Sequence, residues 1–371
     1  MARTPRQNMA ITSESLASQS STLDRAADIA LLARLQERLL ARVRELLGNA
    51  REVALLDYPN NSNVGDSLIW LGALQLVRRL GLKVVYYSDC SNADFARLAE
   101  LAQRPGTAFL LNGGGNFGSL WEHHQHFRLR VFESFPATTI VQLPVSTHFD
   151  AGSGPLIERT RNLLKTRPNV HLLVRDQPSA DWLKSNLGVN AALVPDLAFM
   201  LGALQRKPAR HPVIALLRSD KEKLASQNLN VGANVPVVDW LVEGRIERIW
   251  QRLISLSAGM RAVSDSNHLL LGWLWEQLSR ARLQRGIDLL SLGECVVTDR
   301  LHAHVLSVLL GIPNSIGDNS TGKVLALYSA WTHESTAATW CGGTQTIAPA
   351  APISIPAVAP DSAVDCRSTA I

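Results

Sequence analysis

Cysteine is scarce in this chain, with four in 371 residues: Cys90, Cys295, Cys341 and Cys366. No two form a C-x-x-C pair, so no cysteine-based zinc site or disulfide framework is expected, and the thiols read as reduced and unpaired in a cytoplasmic protein. Long apolar runs are missing as well. The stretch 269–275 is apolar but far too short to span a bilayer. Residues 1–22 are polar and rich in Ser, Thr and Gln, without the apolar centre of a signal peptide. No block of Lys or Arg exists, which leaves little footprint for nucleic acid. The net charge of +5 and pI near 9.2 suit an anionic substrate, or peripheral contact with anionic lipid at the inner face of a cell membrane.

What is present is a large apolar fraction, 46%, in a chain long enough for two ordinary domains. After a polar tail over 1–22, a helical period runs over 23–47. Short apolar runs at 53–56, 84–87, 108–111, 140–143 and 171–174 then alternate with helical patterns over 67–80 and 92–102. Residues 207–212 (KPARHP) read as a linker. Further strands are expected at 213–217, 268–271 and 295–297, with helices over 303–310 and 322–331. Alternation of this kind predicts an α/β protein with parallel sheets and helices on both faces. The expected division is an N-terminal Rossmann-like domain over 23–206 and a C-terminal one over 207–335 that binds the donor. A disordered Ala/Pro-rich tail is expected over 345–371.

Thr298-Asp299-Arg300-Leu301-His302 carries the strongest chemical signal. It joins the end of a strand to the start of a helix, the edge where open α/β sheets bind ligands. A helix N-terminus offers N–H groups and partial positive charge, and Arg300 and His302 add to it, so a phosphorylated or carboxylated anion is the expected guest. His304 either joins them or simply lies on the helix. Arg175, at the end of the 171–174 strand, has the planar fork that matches a carboxylate or phosphate; the plain alternative is a surface pair with Asp176. Arg218 and Asp220 repeat this placement in the second half. Gly113-Gly114-Gly115-Asn116-Phe117-Gly118 follows a strand in the G-x-G-x-x-G pattern, but the next strand ends without the acidic residue that a dinucleotide site needs. The glycines read instead as backbone that approaches a substrate closely, or as a tight structural turn. Asn63-Val64-Gly65-Asp66 precedes a helix, where Asp66 or Ser67 serves either as a cap or in the cleft. Of His123, His124 and His126, the adjacent pair diverges on a helix, so no metal is expected.

These pieces together resemble the polysaccharide pyruvyl transferase family. The similar stretches are Asn63-Val64-Gly65-Asp66, Leu111-Asn112-Gly113-Gly114-Gly115-Asn116-Phe117-Gly118, Val174-Arg175-Asp176 with Ser179, Leu217-Arg218-Ser219-Asp220, and Thr298 to His302 with Gly311-Ile312-Pro313. They fall in the family's order. One departure is Val145, where the family suggests glutamine. The resemblance implies a fold like GT-B glycosyltransferases, two Rossmann-like domains facing a cleft. It implies transfer of pyruvate from phosphoenolpyruvate to a sugar as a ketal, with phosphoenolpyruvate as co-substrate and no cofactor. By position, Arg175 would hold the donor carboxylate, and Arg300 and His302 the phosphate. His302 would also move protons in the reaction, as a residue type that titrates near neutral pH. Asn63, Gly65, Asp66, Asn112 to Asn116, Arg218 and Asp220 are candidates for the cleft and for acceptor contact. The acceptor is expected to be a sugar, with a lipid-linked oligosaccharide among the options. Two other readings stay open at this point: a GT-B glycosyltransferase using a nucleotide sugar, and a non-catalytic carbohydrate-binding protein of polysaccharide assembly.

Overall fold

The computed structural model of the chain describes residues 23–218, 234–259 and 267–342. The expectations for the two tails, for Cys366 and for Asp220 lie outside the described residues.

The first half alternates as the sequence predicts: α1 (Arg25–Leu47), β1 (Glu52–Leu56), α2 (Val64–Arg79), β2 (Lys83–Tyr87), α3 (Phe95–Ala102), β3 (Thr107–Leu111), β4 (Gly114–Gly118), α4 (Glu122–Ser134), β5 (Ile140–His148), α5 (Gly154–Lys165), β6 (Val170–Val174), α6 (Gln177–Leu187) and β7 (Ala192–Leu193). A 3-10 turn, Leu197–Leu201, closes it. The second half contains β8 (His211–Leu216), α7 (Arg245–Gly259), α8 (Asn267–Leu290), β9 (Gly293–Thr298), α9 (Leu301–Leu310), β10 (Asn314–Ile316), α10 (Lys323–Leu327), a π-helical turn (Tyr328–Thr332) and β11 (Ala338–Trp340).

Two parallel sheets result. The first has the order β2-β1-β3-β5-β6-β7, with β4 also paired to β5; the second has the order β11-β10-β9-β8. In β3, Ala108 and Leu110 pack into the core on one face while Phe109 and Leu111 pack on the other. Burial on both faces explains why these strands read as unbroken apolar runs rather than as alternation. Helix α1 ties the sheets together. Its Leu39, Leu40 and Val43 join the core of the first sheet, and its Leu31, Leu32 and Leu35 join that of the second.

Two sequence expectations are corrected. Residues 268–271 are not a strand but the start of α8. Leu271, Leu274, Trp275 and Leu278 face inward at helical spacing, while Leu269, Leu270 and Trp273 are exposed. A four-residue apolar run cannot by itself distinguish these states, and the period over the next two turns decides it. The glycine run is not only a loop: 114–118 is strand β4, and β5 continues through Pro144 to His148 to pair with it. Pro144 lacks the N–H that would extend pairing with β3. The Gln142 amide fills the gap by donating to the carbonyl oxygens of Asn112 (2.8 Å) and Leu143 (3.0 Å). A Cβ on Gly118, whose φ is +125°, would lie 1.9 Å from the His148 carbonyl oxygen, so only glycine allows this close strand contact.

Candidate active site

A cavity of about 610 Å³ opens at the C-terminal ends of strands from both sheets. Residues 58–63 follow β1, 113–116 follow β3, Arg175 follows β6, Arg218 follows β8, and Arg300 to His302 follow β9. Parallel strands with helices packed on their faces leave this edge as the concave one. Asn63, Asp66, Gly113, Gly114, Gly115, Asn116, Arg175, Arg218, Arg300 and His302 all line the cavity, so most of the sequence candidates converge.

Arg175 is not in a surface pair with Asp176. It is 3% exposed, its NH1 donates to Asp196 Oδ2 at 2.7 Å, and its Nε donates to Ser146 Oγ at 2.8 Å. Asp176 turns away, accepting from the Ser146 hydroxyl and capping α6 through the Ser179 N–H at 2.9 Å. The Arg175 carbonyl accepts the Trp331 indole N–H at 2.7 Å, which fixes the strand end from the far side. The same Asp196 oxygen lies 3.6 Å from His302 Nε2. Burial alone would raise the Asp196 carboxyl, but Arg175, His302 and the Ala198 N–H hold it well below the usual carboxylate range. A single anion therefore sits between a cation from the first sheet and a histidine from the second.

The remaining charges of the site are mostly positive. Arg300 is buried at the extended N-cap of α9, and its Nε donates to the Leu217 carbonyl at 3.3 Å. Leu301 packs into the core of the second sheet and, with Arg300 and His302, also lines the cavity. The Arg218 backbone N–H donates to Asp299 at 2.8 Å, and burial pushes the Asp299 carboxyl up. Lys323, at the first position of α10, completes the set. Its Nζ and Arg175 NH2 each lie 3.4 Å from the position that a Cβ on Gly115 would take. Bare backbone at 115 thus leaves room between two cationic groups. Four guanidinium or ammonium groups line the cavity against two carboxylates, Asp66 and Asp89, so the cavity favours an anion.

Other candidates take supporting places. The cap of α2 is Asn63, whose side chain accepts from the Gly65 N–H at 3.0 Å, and not Asp66 or Ser67. Asp66 sits in the first turn, held by the Asn61 amide at 2.9 Å and the Asn63 amide at 3.3 Å. Gly65 does not line the cavity; it backs His302, since a Cβ there would meet the imidazole at 2.6 Å. Asn112 is buried behind the glycines, its carbonyl accepting from Gln142. Asn116 lines the cavity and accepts from the buried Arg128 at 2.8 Å; burial brings that guanidinium down to about 10. His304 stays apart from the site. It is wholly buried, bonded to Asn314 (2.8 Å) and Thr332 (2.7 Å), and burial brings it down to about 4.

Contrary to the sequence expectation, His123 and His124 do not diverge. His123 and His124 both line the cavity with ring centroids 4.2 Å apart. Cβ directions differ by about 100° along a helix, but side-chain rotamers swing two imidazoles together. Cys90 lies on the same wall, where burial first, then Asp57 and Asp89, raise its thiol to about 11. Sequence reasoning missed Asp196 and Lys323. Asp196 sits just after the two-residue strand β7, too short to carry a pattern, and the cue available was an acid placed before the apolar run 197–201. Lys323 follows Gly322 at a helix start, and its charge there opposes the helix dipole, which is itself a cue.

Comparison with known proteins gives a consistent picture. The family model for polysaccharide pyruvyl transferase matches residues 63–315. Pyruvyl transferase 1 of Schizosaccharomyces pombe is 29% identical over 324 residues, covering 81% of this chain and 74% of the relative. EpsO of Bacillus subtilis, provisionally named a pyruvyl transferase, is 28% identical over 296 residues, covering 79% of this chain and 89% of the relative. A solved structure of a functionally uncharacterized Klebsiella pneumoniae protein superposes with a TM-score of 0.57 at 19% identity, over 84% of this chain and 99% of that one. That last likeness concerns the fold.

Proposed function

Because the chain belongs to the polysaccharide pyruvyl transferase family, we propose that it takes the pyruvyl group from phosphoenolpyruvate and places it as a ketal on a sugar of an exopolysaccharide or cell-surface glycan repeat unit. The observation that carries the donor assignment is the convergence of Arg175, Arg300, Arg218 and Lys323 on one cavity. Phosphoenolpyruvate has a carboxylate and a phosphate on adjacent carbons, and a clamp for both needs at least two cationic groups. In this reading the Arg175 NH2 edge and Lys323 hold the carboxylate over Gly115, while Arg300, His302 and the α9 N-terminus hold the phosphate. The two sheets, meeting at this cavity, act as GT-B-like halves.

The chemistry follows from the donor. A proton adds to the terminal enol carbon, leaving a cationic centre at C2. One sugar hydroxyl attacks there and loses its proton. The C2–O bond to phosphate breaks, and inorganic phosphate departs with the proton that His302 supplies. A second hydroxyl of the same sugar then attacks C2 and loses its proton, closing the ketal. Asp196 orients His302 and offsets the Arg175 charge before the donor arrives. Asp66 and His302 are the described candidates for the acid that protonates the enol carbon. Phosphoenolpyruvate acts as co-substrate, with no organic cofactor required.

Among the described residues no helix is long and apolar enough to cross a membrane. Access to a lipid-linked acceptor would come instead through peripheral contact. Helix α7 supports it: Ile246, Ile249, Leu253 and Leu256 form an exposed stripe flanked by the exposed Arg245, Arg248 and Arg252.

Incubation with isotopically labelled phosphoenolpyruvate and a panel of synthetic or lipid-linked oligosaccharides tests the reading. A labelled pyruvate adduct by mass, with equimolar phosphate release, is expected. Turnover of a nucleotide sugar with no adduct from phosphoenolpyruvate would overturn it.

A further inference from the structure

One wall of the cavity carries side chains that pyruvyl transfer, as read above, does not use. Cys90, His123 and His124 each present one ligand atom there, all within 4.8 Å of one another. A tetrahedral zinc ion with bonds of about 2.0–2.3 Å sets its ligands roughly 3.3–3.8 Å apart, so side-chain rotation closes the set. His123 is exposed and able to rotate, and Cys90 and His124 are partly buried.

His124 is already oriented for the task. Its Nδ1 lies 2.6 Å from Asp57 Oδ1. A carboxylate at that distance fixes the N–H on Nδ1 and leaves the Nε2 lone pair outward, the outer-shell arrangement of metal-bound histidines. Asp57 shows independent signs of a dedicated role. It is the one non-glycine residue with positive φ among the described residues, at 68°. Such a conformation is strained for a residue with a side chain and persists where surroundings impose it. Its other oxygen is buried, accepts no hydrogen bond and faces the Arg128 guanidinium at 4.0 Å. Asp89 lines the cavity beside Cys90, so two carboxylates make this wall locally negative within an otherwise basic cavity.

We propose that Cys90, His123 and His124 form a mononuclear zinc(II) site, oriented by Asp57, whose fourth position opens into the cavity and takes water or an acceptor hydroxyl. One thiolate and two imidazoles suit a borderline-soft ion, and three protein ligands with an open position is the pattern of reactive rather than structural zinc. The site goes beyond the pyruvyl transfer reading, because metal binding needs neither donor nor sugar.

The full-length protein, stripped by chelator dialysis, is titrated with cobalt(II) as the probe and then with zinc(II). Expected are one equivalent of cobalt, the intense visible bands of a four-coordinate site, a thiolate-to-cobalt charge-transfer band, and bleaching by one equivalent of zinc. Cys90→Ser abolishes the charge-transfer band while Cys295, Cys341 and Cys366 remain. His123→Ala, at an exposed position where folding is not at stake, weakens cobalt binding at least tenfold. Asp57→Asn weakens it by about 10- to 100-fold. Absence of the visible bands with the unmodified protein, or a spectrum unchanged by both Cys90→Ser and His123→Ala, would overturn the proposal. Cobalt binding by a protein that ignores phosphoenolpyruvate would leave it standing, so the two readings fail separately.

Discussion

Arg175 shows how much a single residue's role depends on its counterions. Placed at a strand end, it reads from sequence as an open guanidinium. In the fold, two of its three nitrogens are engaged by Ser146 and Asp196, and only the NH2 edge is directed at Gly115 and Lys323. Arg300 is different: its Nε reaches a backbone carbonyl, and Asp239 stands off at 3.9 Å and is half exposed. In the proposed reading Arg300 holds the donor phosphate together with His302. Arg300→Ala is expected to lose about 1.5–3 kcal/mol of charge-assisted hydrogen bonding, roughly ten- to a hundredfold in kcat/KM for phosphoenolpyruvate. Steady-state kinetics that leave both KM for the donor and kcat unchanged would remove Arg300 from the site. The arginines were legible because strand–turn–helix edges announce themselves in short apolar runs. Asp196 was not, since what marks it is a contact with Arg175 across 21 residues of chain.

At the scale of elements, α9 is the best-predicted piece and α8 the worst. The pattern 303–310 stops at Gly311, which adopts the left-handed C-cap with φ of 64°. Local chemistry defines both of its ends. Helix α8 begins with an apolar run whose meaning depends on which core it meets, and that core belongs to residues two hundred positions earlier, Val53 and Trp70 among them. Helix α9 also carries a pH dependence. His304 is held neutral, at about 4 against an ordinary 6.5. Between those values the unfolded chain binds a proton that the folded chain refuses. Stability from this group is thus complete above about pH 6.5 and declines as pH falls toward 4, by an amount on the order of 3 kcal/mol. Chemical denaturation at pH 7.5, 6 and 5 should show this decline. His304→Gln, which no longer titrates, should give a shallower one, and equal slopes for the two proteins would count against the assignment.

Across the whole molecule, α1 and α2 take part in both apolar cores, and Trp331 from the π-helical turn reaches the end of β6. The parallel α/β character was legible from alternation alone, because every connection between paired strands is long enough for a helix. How the second half lends α8 to the first sheet was not, since it depends on packing between distant segments. Among the described residues, α7 presents an apolar stripe. Leu256 is 68% exposed and Ile246 62%, with arginines between them. Co-sedimentation with vesicles containing phosphatidylglycerol is expected, weakening with salt and falling several-fold for Ile249→Asp combined with Leu253→Asp. Equal sedimentation with neutral vesicles, or none with either, would rule out this contact.

The register shift in β5 around Pro144 has a lasting effect on the cavity. Gly113 to Gly115 line the cavity beside it through main chain alone, and Gly113 can accept no side chain because a Cβ would lie 2.5 Å from the Pro144 carbonyl oxygen. A surface of peptide groups offers the same donors and acceptors whichever neighbouring residues change. A substitution at the rim, at residues 60–62 or 121, therefore changes the side chains around the opening while this main-chain surface keeps its hydrogen-bonding groups.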